Sequence, residues 1–277
     1  MFAVFQRKLF KNWLMILGWG IGLAFLGYWI LDIFETMFQQ NVDLQVLMNA
    51  YPEDLMAFFG GDVDIFSTSG FIQMEFFSYM PIILGIMTIS AAAGVIARGE
   101  ESGTLELTLA QPISRSGLFW GRLLASLLSL LLILVLAWVG FTLGITLNDF
   151  ELTPLEMILP FISLFAILLV FHSLALFLSM VLADSGTANL ISVILLIASF
   201  FITSFARIDE RFEGINRFSP LYFYQGGAAV NGLDQQNLLL LIGISILLII
   251  LAWVTFSLRD LRFGGSGGLR LVLKRKG

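Results

Sequence analysis

The sequence predicts an all-α integral membrane protein with six transmembrane helices, and two observations support this fold class. Six separate apolar runs, each about long enough to cross a bilayer, lie along the 277 residues, and none has an acidic or basic residue in its middle. The composition agrees, because 58% of the residues are hydrophobic, 13% are charged, and the mean hydropathy is +0.92. A soluble domain of this size does not sustain such a composition in water.

The predicted spans follow from the length that a helix needs to cross a membrane. Each residue of a helix rises about 1.5 Å and the hydrocarbon core is about 30 Å thick, so a span takes roughly 20 apolar residues. Because a backbone in lipid must satisfy its own hydrogen bonds, and because these runs are too long for barrel strands, we expect helices. The predicted spans are residues 13–31, 76–97, 118–147, 155–182, 188–206 and 238–258. They form one transmembrane domain over residues 1–277, with an outer loop at 32–75, an inner loop at 98–117, an outer loop at 207–237 and a cytoplasmic tail at 259–277.

The first eleven residues form an amphipathic segment ahead of the first span. Three apolar residues fall on one helical face and three basic residues on the other, namely Phe2, Phe5 and Leu9 against Arg7, Lys8 and Lys11. This pattern predicts a short N-terminal helix that lies in the membrane interface.

Charged residues sort to opposite sides of the predicted topology. With a cytoplasmic N-terminus, 12 of the 15 Lys and Arg residues lie in inner segments, and only Arg207, Arg211 and Arg217 lie outside. Fifteen of the 20 acidic residues lie outside, eight of them in the loop 32–75, whose role the sequence leaves open. The positive-inside rule therefore predicts a multi-pass plasma (inner) membrane protein with both termini in the cytoplasm. We expect the basic tail to meet anionic lipid rather than nucleic acid.

The spans carry few groups that could do chemistry. The chain has no cysteine, no metal-binding His-Glu-x-x-His pattern and no phosphate-binding loop, so we predict neither an enzyme nor a metal or cofactor site. His172, followed by Ser173, is the one ionisable side chain in the middle of a predicted span and marks a possible intramembrane polar site. We expect a neutral imidazole that bonds to a neighbouring helix through Ser173, Ser179 or a backbone carbonyl.

The inner loop carries the most specific pattern in the chain. Residues 97–115 read Ala-Arg-Gly-Glu-Glu-Ser-Gly-Thr-Leu-Glu-Leu-Thr-Leu-Ala-Gln-Pro-Ile-Ser-Arg. The pattern predicts an acidic turn with a flexible Gly103, followed by a short helix over residues 104–110 that Pro112 ends. Leu105 and Leu109 lie four residues apart and give this helix a small apolar face that could dock on another protein.

This loop, placed after the second of six spans, resembles the membrane subunit of ABC-2 type transporters, which have a type V exporter-like permease fold. In that family the loop forms a coupling helix that sits in a groove of a separate ATPase subunit. The resemblance implies that Glu100, Glu101, Gly103 and Thr104 transmit ATP-driven motion, with Leu105 and Leu109 on the docking face. It also implies that ATP and Mg bind the partner ATPase rather than this chain, and that a second permease subunit, identical or similar, completes the membrane part.

Two glycine pairs have the spacing that permits close helix approach, Gly18 with Gly22 and Gly140 with Gly144. Spans rich in Phe and Met, with scattered Ser and Thr, predict a hydrophobic or amphiphilic cargo such as a drug, antibiotic, peptide or lipid, and hence a role such as multidrug efflux. The sequence leaves two alternatives open. The chain could be an ion-coupled secondary carrier, or an ABC-type membrane component that serves signalling or lipid extraction instead of cargo export.

Overall fold

Helices make up most of residues 1–39, 57–59, 67–103, 113–148, 150, 152–182 and 184–258, which are the parts of the chain that the computed structural model describes. Within these ranges six helical stretches are long and apolar enough to cross a membrane. They are built on α1 (Phe2–Gln39), α2 (Met80–Ala93), α3 (Arg115–Leu147), α4 (Pro154–Leu182), α5 (Ser185–Ala206) and α6 (Gln235–Leu258). The predicted all-α fold with six spans is confirmed, and the chain is a multi-pass membrane protein.

Polar caps set where α3 and α4 begin. Ser114 Oγ accepts a hydrogen bond from the Gly117 amide at 3.1 Å, which satisfies an amide in the first turn of α3. Before α4, the Thr153 amide donates to Glu156 Oε2 at 2.7 Å and the Glu156 amide donates to Thr153 Oγ1 at 3.2 Å, which is a reciprocal capping box. Both helices therefore begin slightly ahead of the apolar runs, because the capped first turn is helical as well.

The N-terminal segment differs from the prediction. Residues 2–12 are helical, but they continue into the first span as a single helix instead of forming a separate interfacial helix. No Pro or Gly occurs before Gly18 to interrupt the hydrogen-bond ladder. The start of α1 also packs on α3, where a side chain at Gly121 would meet the Met1 carbonyl and Val4. This packing holds the segment in line with the rest of α1.

The second span is less regular than the single helix predicted at 76–97. The crossing stretch begins at the short helix Thr68–Ile72 and continues through a π-helical turn, Gln73–Phe77, before α2. At its other end α2 stops at Ala93, and after a turn at residues 94–96 the chain resumes as the short helix Ala97–Glu101. The apolar run could not show either irregularity, because both depend on contacts with other parts of the chain.

Helix α4 occupies the centre of the subunit. It packs against α2, α3, α5 and α6, and 72% of its most apolar window is buried, against 22% for α6. Helix α1 runs parallel to α3 and packs along it. The first helix therefore reaches the rest of the bundle mainly through α3.

Residues 207–234, between α5 and α6, fold back onto the bundle. They consist of short helical turns at Glu210–Phe212, Glu213–Asn216, Pro220–Phe223 and Gly226–Asn231. Leu221, Ala229 and Val230 are buried in this segment. Residues 219–230 therefore pack into the protein interior, whereas most of residues 207–218 are exposed, at the end of the bundle opposite the 94–103 segment.

Candidate functional site

The 94–103 segment follows α2 and includes the first residues of the inner loop. Two arginines hold it in place. Arg98 Nη2 donates to the Ser90 carbonyl in the last turn of α2 at 3.2 Å. From α3, Arg122 Nη1 donates to the Val95 carbonyl inside the turn at 3.0 Å. The end of a helix leaves carbonyls without intrahelical partners, so these guanidinium groups stabilise the break in α2. They also tie the 94–103 segment to both α2 and α3.

Glu101 connects the same segment to the start of α5. Its Oε1 accepts from the Ser185 amide at 2.6 Å and its Oε2 accepts from the Ser185 hydroxyl at 2.9 Å. The N-terminus of a helix has free amides and a positive dipole end, so a carboxylate there is favourable. Ser185 is the first residue of α5, and Glu101 is therefore in direct contact with a span 84 residues away in sequence.

Asp184 completes this helix start as the N-cap residue of α5. Its Oδ2 accepts from the Thr187 amide at 2.7 Å. Hydrogen bonds from the Thr187 side chain and amide lower the pKa of the Asp184 carboxyl below its ordinary value. The start of α5 thus carries two carboxylates, one from its own cap and one from the 94–103 segment.

The remaining predicted coupling residues have different surroundings. Glu100 is buried, with 5% of its surface exposed, whereas Glu101 is exposed. Gly103 has a φ of 68°, a left-handed conformation that glycine adopts without strain and that turns the chain away from the short helix. The other residues predicted for this site, Thr104, Leu105 and Leu109, lie outside the described residues, as does the predicted helix 104–110. Their coupling role remains a prediction.

His172 and Ser173 do not form a polar pair. The His172 Nδ1 atom lies 3.0 Å from Thr88 Oγ1 of α2, and both residues are buried. Ser173 instead donates to the Leu169 and Val170 carbonyls of its own helix. The expected bond to a neighbouring helix therefore exists, but its partner is Thr88 rather than Ser173, Ser179 or a carbonyl. On α4 these side chains point in different directions because adjacent residues of a helix are about 100° apart.

The opposite end of the bundle contains contacts that the sequence reasoning missed. The Gly227 amide donates to the side-chain oxygen of Gln73, which is buried in the π-helical turn. The Tyr224 hydroxyl donates to the Phe77 carbonyl at 3.0 Å. Burial raises the pKa of Tyr224 well above its ordinary value. The sequence carried one signal for these contacts, which is the amide side chain of Gln73 next to an apolar run.

Most hydroxyl groups of the spans are used inside the subunit. Ser163 Oγ accepts from the Gln225 amide at 3.1 Å, and Thr203 Oγ1 donates to Asn216 Oδ1 at 2.8 Å. Ser192 donates to the Ala188 carbonyl of its own helix. These groups hold the 207–234 segment and the helices in place.

The two glycine pairs have opposite environments. A side chain at Gly140 would collide with the backbone of Ala24, and one at Gly144 would meet Leu31, so this pair lies in the contact between α1 and α3. Nothing lies within 4 Å of the positions that side chains at Gly18 and Gly22 would occupy. That pair lines an open apolar groove of about 540 Å³ on α1.

The model of a family described as "ABC-2 family transporter protein" matches residues 13–261, which include nearly all of the six spans and the inner loop. No curated protein matches the chain significantly.

Proposed function

The chain belongs to the ABC-2 transporter family, and we therefore propose that it is the permease subunit of an ATP-driven exporter whose ATPase is a separate chain. As an ABC-2 membrane component, it would form the path for cargo while the partner binds ATP and Mg. The observation that carries this proposal is the contact between Glu101 and Ser185, because it connects the expected docking loop directly to a span.

A force applied to the inner loop would reach three spans through the 94–103 segment. Arg98 passes it to α2, Arg122 to α3 and Glu101 to α5. ATP binding can shift the subunit between two conformations only if those conformations differ in their contacts. Each of these bonds can be kept or lost as the spans tilt. The mechanism is mechanical, since the chain holds and moves helices while the ATPase performs the chemistry.

We place the 94–103 end in the cytoplasm, where an ATPase has access to nucleotide. The basic residues of the described chain concentrate at this end, including Arg7, Lys8 and Lys11 of α1. Acidic side chains such as Asp209, Glu210 and Glu213 lie at the other end. This distribution is the one that the positive-inside rule favours, and it supports insertion in the plasma (inner) membrane with both termini in the cytoplasm.

The proposed cargo is a hydrophobic or amphiphilic compound, and the proposed path lies between two permease subunits. The centre of one subunit is filled, because α4 is surrounded by four spans and the hydroxyls near it have internal partners. The outward faces of α1, α5 and α6 carry large apolar side chains. A path bounded by such faces suits apolar cargo and excludes highly charged solutes.

The test uses the full chain purified with the ATPase that accompanies it and reconstituted in vesicles. We expect ATP-dependent movement of a lipophilic dye and cargo-stimulated ATP hydrolysis. Glu101→Ala should reduce both by roughly tenfold while basal hydrolysis by the ATPase persists. A hydrogen bond to a charged group contributes about 1.5–3 kcal/mol, and the exposure of Glu101 places it at the low end. Ser185→Ala should lose less, because the bond from the amide remains.

Glu213→Ala is the matched control, because it removes an exposed acid that pairs with Arg217 at the other end. It should leave transport and stimulation unchanged. Dye movement by the chain alone, driven by an ion gradient and lost in His172→Ala, would instead identify an ion-coupled carrier. Stimulated hydrolysis without movement of any tested compound would favour the signalling or lipid-extraction alternative.

A further inference from the structure

The first turn of α5 is bonded to the chain on both sides of the break in α2, which lies at residues 94–96. Before the break, Ser90 Oγ of α2 donates to Asn189 Oδ1 at 3.1 Å. After the break, the Glu101 carboxylate accepts from the amide and the hydroxyl of Ser185. Because Ser185 and Asn189 lie four residues apart, they share a face of α5. One turn of α5 therefore spans the break.

These two attachments can coexist only because α2 is broken. The two helices run in opposite directions, since Gly85 packs against Leu196 while Ser90, later in α2, meets a residue earlier in α5. The attachment points on α5 are separated by a rise of about 6 Å, whereas those on α2 would be separated by about 16 Å in an unbroken helix. A continuous α2 would thus carry Glu101 about 10 Å beyond Ser185. The break brings it back.

The attachments on the two sides of the break differ in their exposure to water. Glu101 is exposed, and so is the bond from Arg98 to the Ser90 carbonyl, so water can replace the bonds that cross the break. Ser90 and Asn189 are partly buried, and both lie in stretches apolar enough to cross the membrane. A polar side chain that loses its partner there has no equivalent replacement, which favours keeping the bond between α2 and α5.

We propose that Ser90 and Asn189 are positioning residues that hold α2 and α5 together as one unit, while the contact of Glu101 with Ser185 is a releasable lock on the break in α2. When the lock opens, the short helix Ala97–Glu101 swings away from α5 and the two spans stay paired. The use of this lock rests on the proposed function, in which an ATPase pulls on the inner loop. The lock itself is a property of the single chain.

The first test measures the distance between two spin labels in the chain alone, in nanodiscs. The chain has no cysteine, so Ile83→Cys on α2 and Ser102→Cys after the break, both at exposed positions, take the labels selectively. We expect Glu101→Ala to add a population whose label separation is longer by up to about 10 Å, because the chain can straighten at the break. Glu213→Ala, at the other end of the bundle, should leave the distances unchanged. Unchanged distances in Glu101→Ala would overturn the proposal without any ATPase.

The second test links each attachment covalently, in vesicles that also contain the ATPase. A short bifunctional thiol reagent that reductant cleaves joins Ser102→Cys to Gly186→Cys across the lock, and in a separate variant joins Ser90→Cys to Asn189→Cys. There is room for a side chain at Gly186. Linking the first pair should reduce cargo-stimulated hydrolysis roughly tenfold until reductant is added, because only one of the two conformations remains accessible. The second pair should lose stimulation when unlinked and regain it when linked, because the link replaces the hydrogen bond.

Three results of the second test would overturn the proposal. Full stimulation with the first pair linked would show that the lock does not open. Lost stimulation with the second pair linked would show that α2 and α5 must separate, and full stimulation with that pair unlinked would remove Ser90 and Asn189 from the positioning role. If the unaltered chain gives no stimulated hydrolysis at all, the proposed function fails, and the spin-label distances still decide whether the lock exists.

Discussion

At the scale of single residues, buried polar side chains in this protein act as connections between helices. The imidazole of His172 meets Thr88 across the contact between α4 and α2, where both side chains are buried, and a buried polar group that loses its hydrogen bond is costly. Its other ring nitrogen, Nε2, has no hydrogen-bond partner among the described residues. One bond therefore holds this side chain, and its loss has a measurable cost.

Thr88→Val tests that bond. It removes the hydroxyl and leaves a buried imidazole without a partner, so we expect a loss of about 1–3 kcal/mol in the free energy of unfolding. Thr142→Val is the matched control, since the Thr142 hydroxyl is buried without a partner in the described residues and its removal should be neutral or stabilising. Chemical unfolding in detergent measures both. Equal effects of the two substitutions would show that the bond to His172 contributes nothing.

At the scale of elements, the contact between α1 and α3 depends on how close the two backbones come. Gly140 lies against the backbone of Ala24, so the contact has no room for a methyl group. Such close approach increases van der Waals contact, which is a main source of helix association in lipid. Gly18 and Gly22 have the same spacing, but they lie on a face of α1 that no other described residue covers.

Gly140→Ala should therefore destabilise the subunit, by about 1–3 kcal/mol, because the added carbon meets backbone that cannot move aside. Gly243→Ala in α6 is the control, as nothing lies within 4 Å of the new carbon there. Alanine is the better helix former by about 1 kcal/mol, so the control should be neutral or more stable. The midpoints of thermal unfolding in detergent distinguish the two. A control that loses as much as Gly140→Ala would show that the packing interpretation is wrong.

At the scale of the whole molecule, α2 connects two sets of long-range contacts. Arg98 and Arg122 hold the C-terminal end of α2. The 207–234 segment holds the π-helical turn before α2 through bonds to Gln73 and Phe77. A displacement of α2 would strain both sets together. The subunit thus has a direct structural route between its two ends, along which motion at the inner loop can reach the 207–234 segment.

The two ends should face opposite sides of the membrane, and the chain suits a direct measurement because it has no cysteine. Phe218→Cys places a thiol at a residue that is 89% exposed in the 207–234 segment. Ser116→Cys places one on an exposed position near the start of α3. In intact cells a membrane-impermeant maleimide should label the first variant, and the second only after permeabilisation. The reverse pattern would place the 94–103 segment outside the cell and contradict ATP coupling there.

The number of spans, the all-α class and the family could all be predicted from the sequence alone. Those features depend on local composition, since lipid forces an apolar run of sufficient length into a helix whatever surrounds it. The residues of the inner loop carried the family resemblance because they also lie next to one another in sequence. The same reasoning identified Glu101 and His172 as notable, but it could not find their partners.

Those partners, and the irregularities of the helices that accompany them, are visible in the folded structure alone. Ser185 and Thr88 each lie 84 residues from the side chain they contact, so no local pattern connects them. Which helices come together sets the break in α2 and the π-helical turn before it. It also determines that Gly140, and not Gly18, lies in a helix contact. Contacts between distant parts of a chain form only when the bundle assembles, and that assembly selects among partners that are equivalent in local sequence.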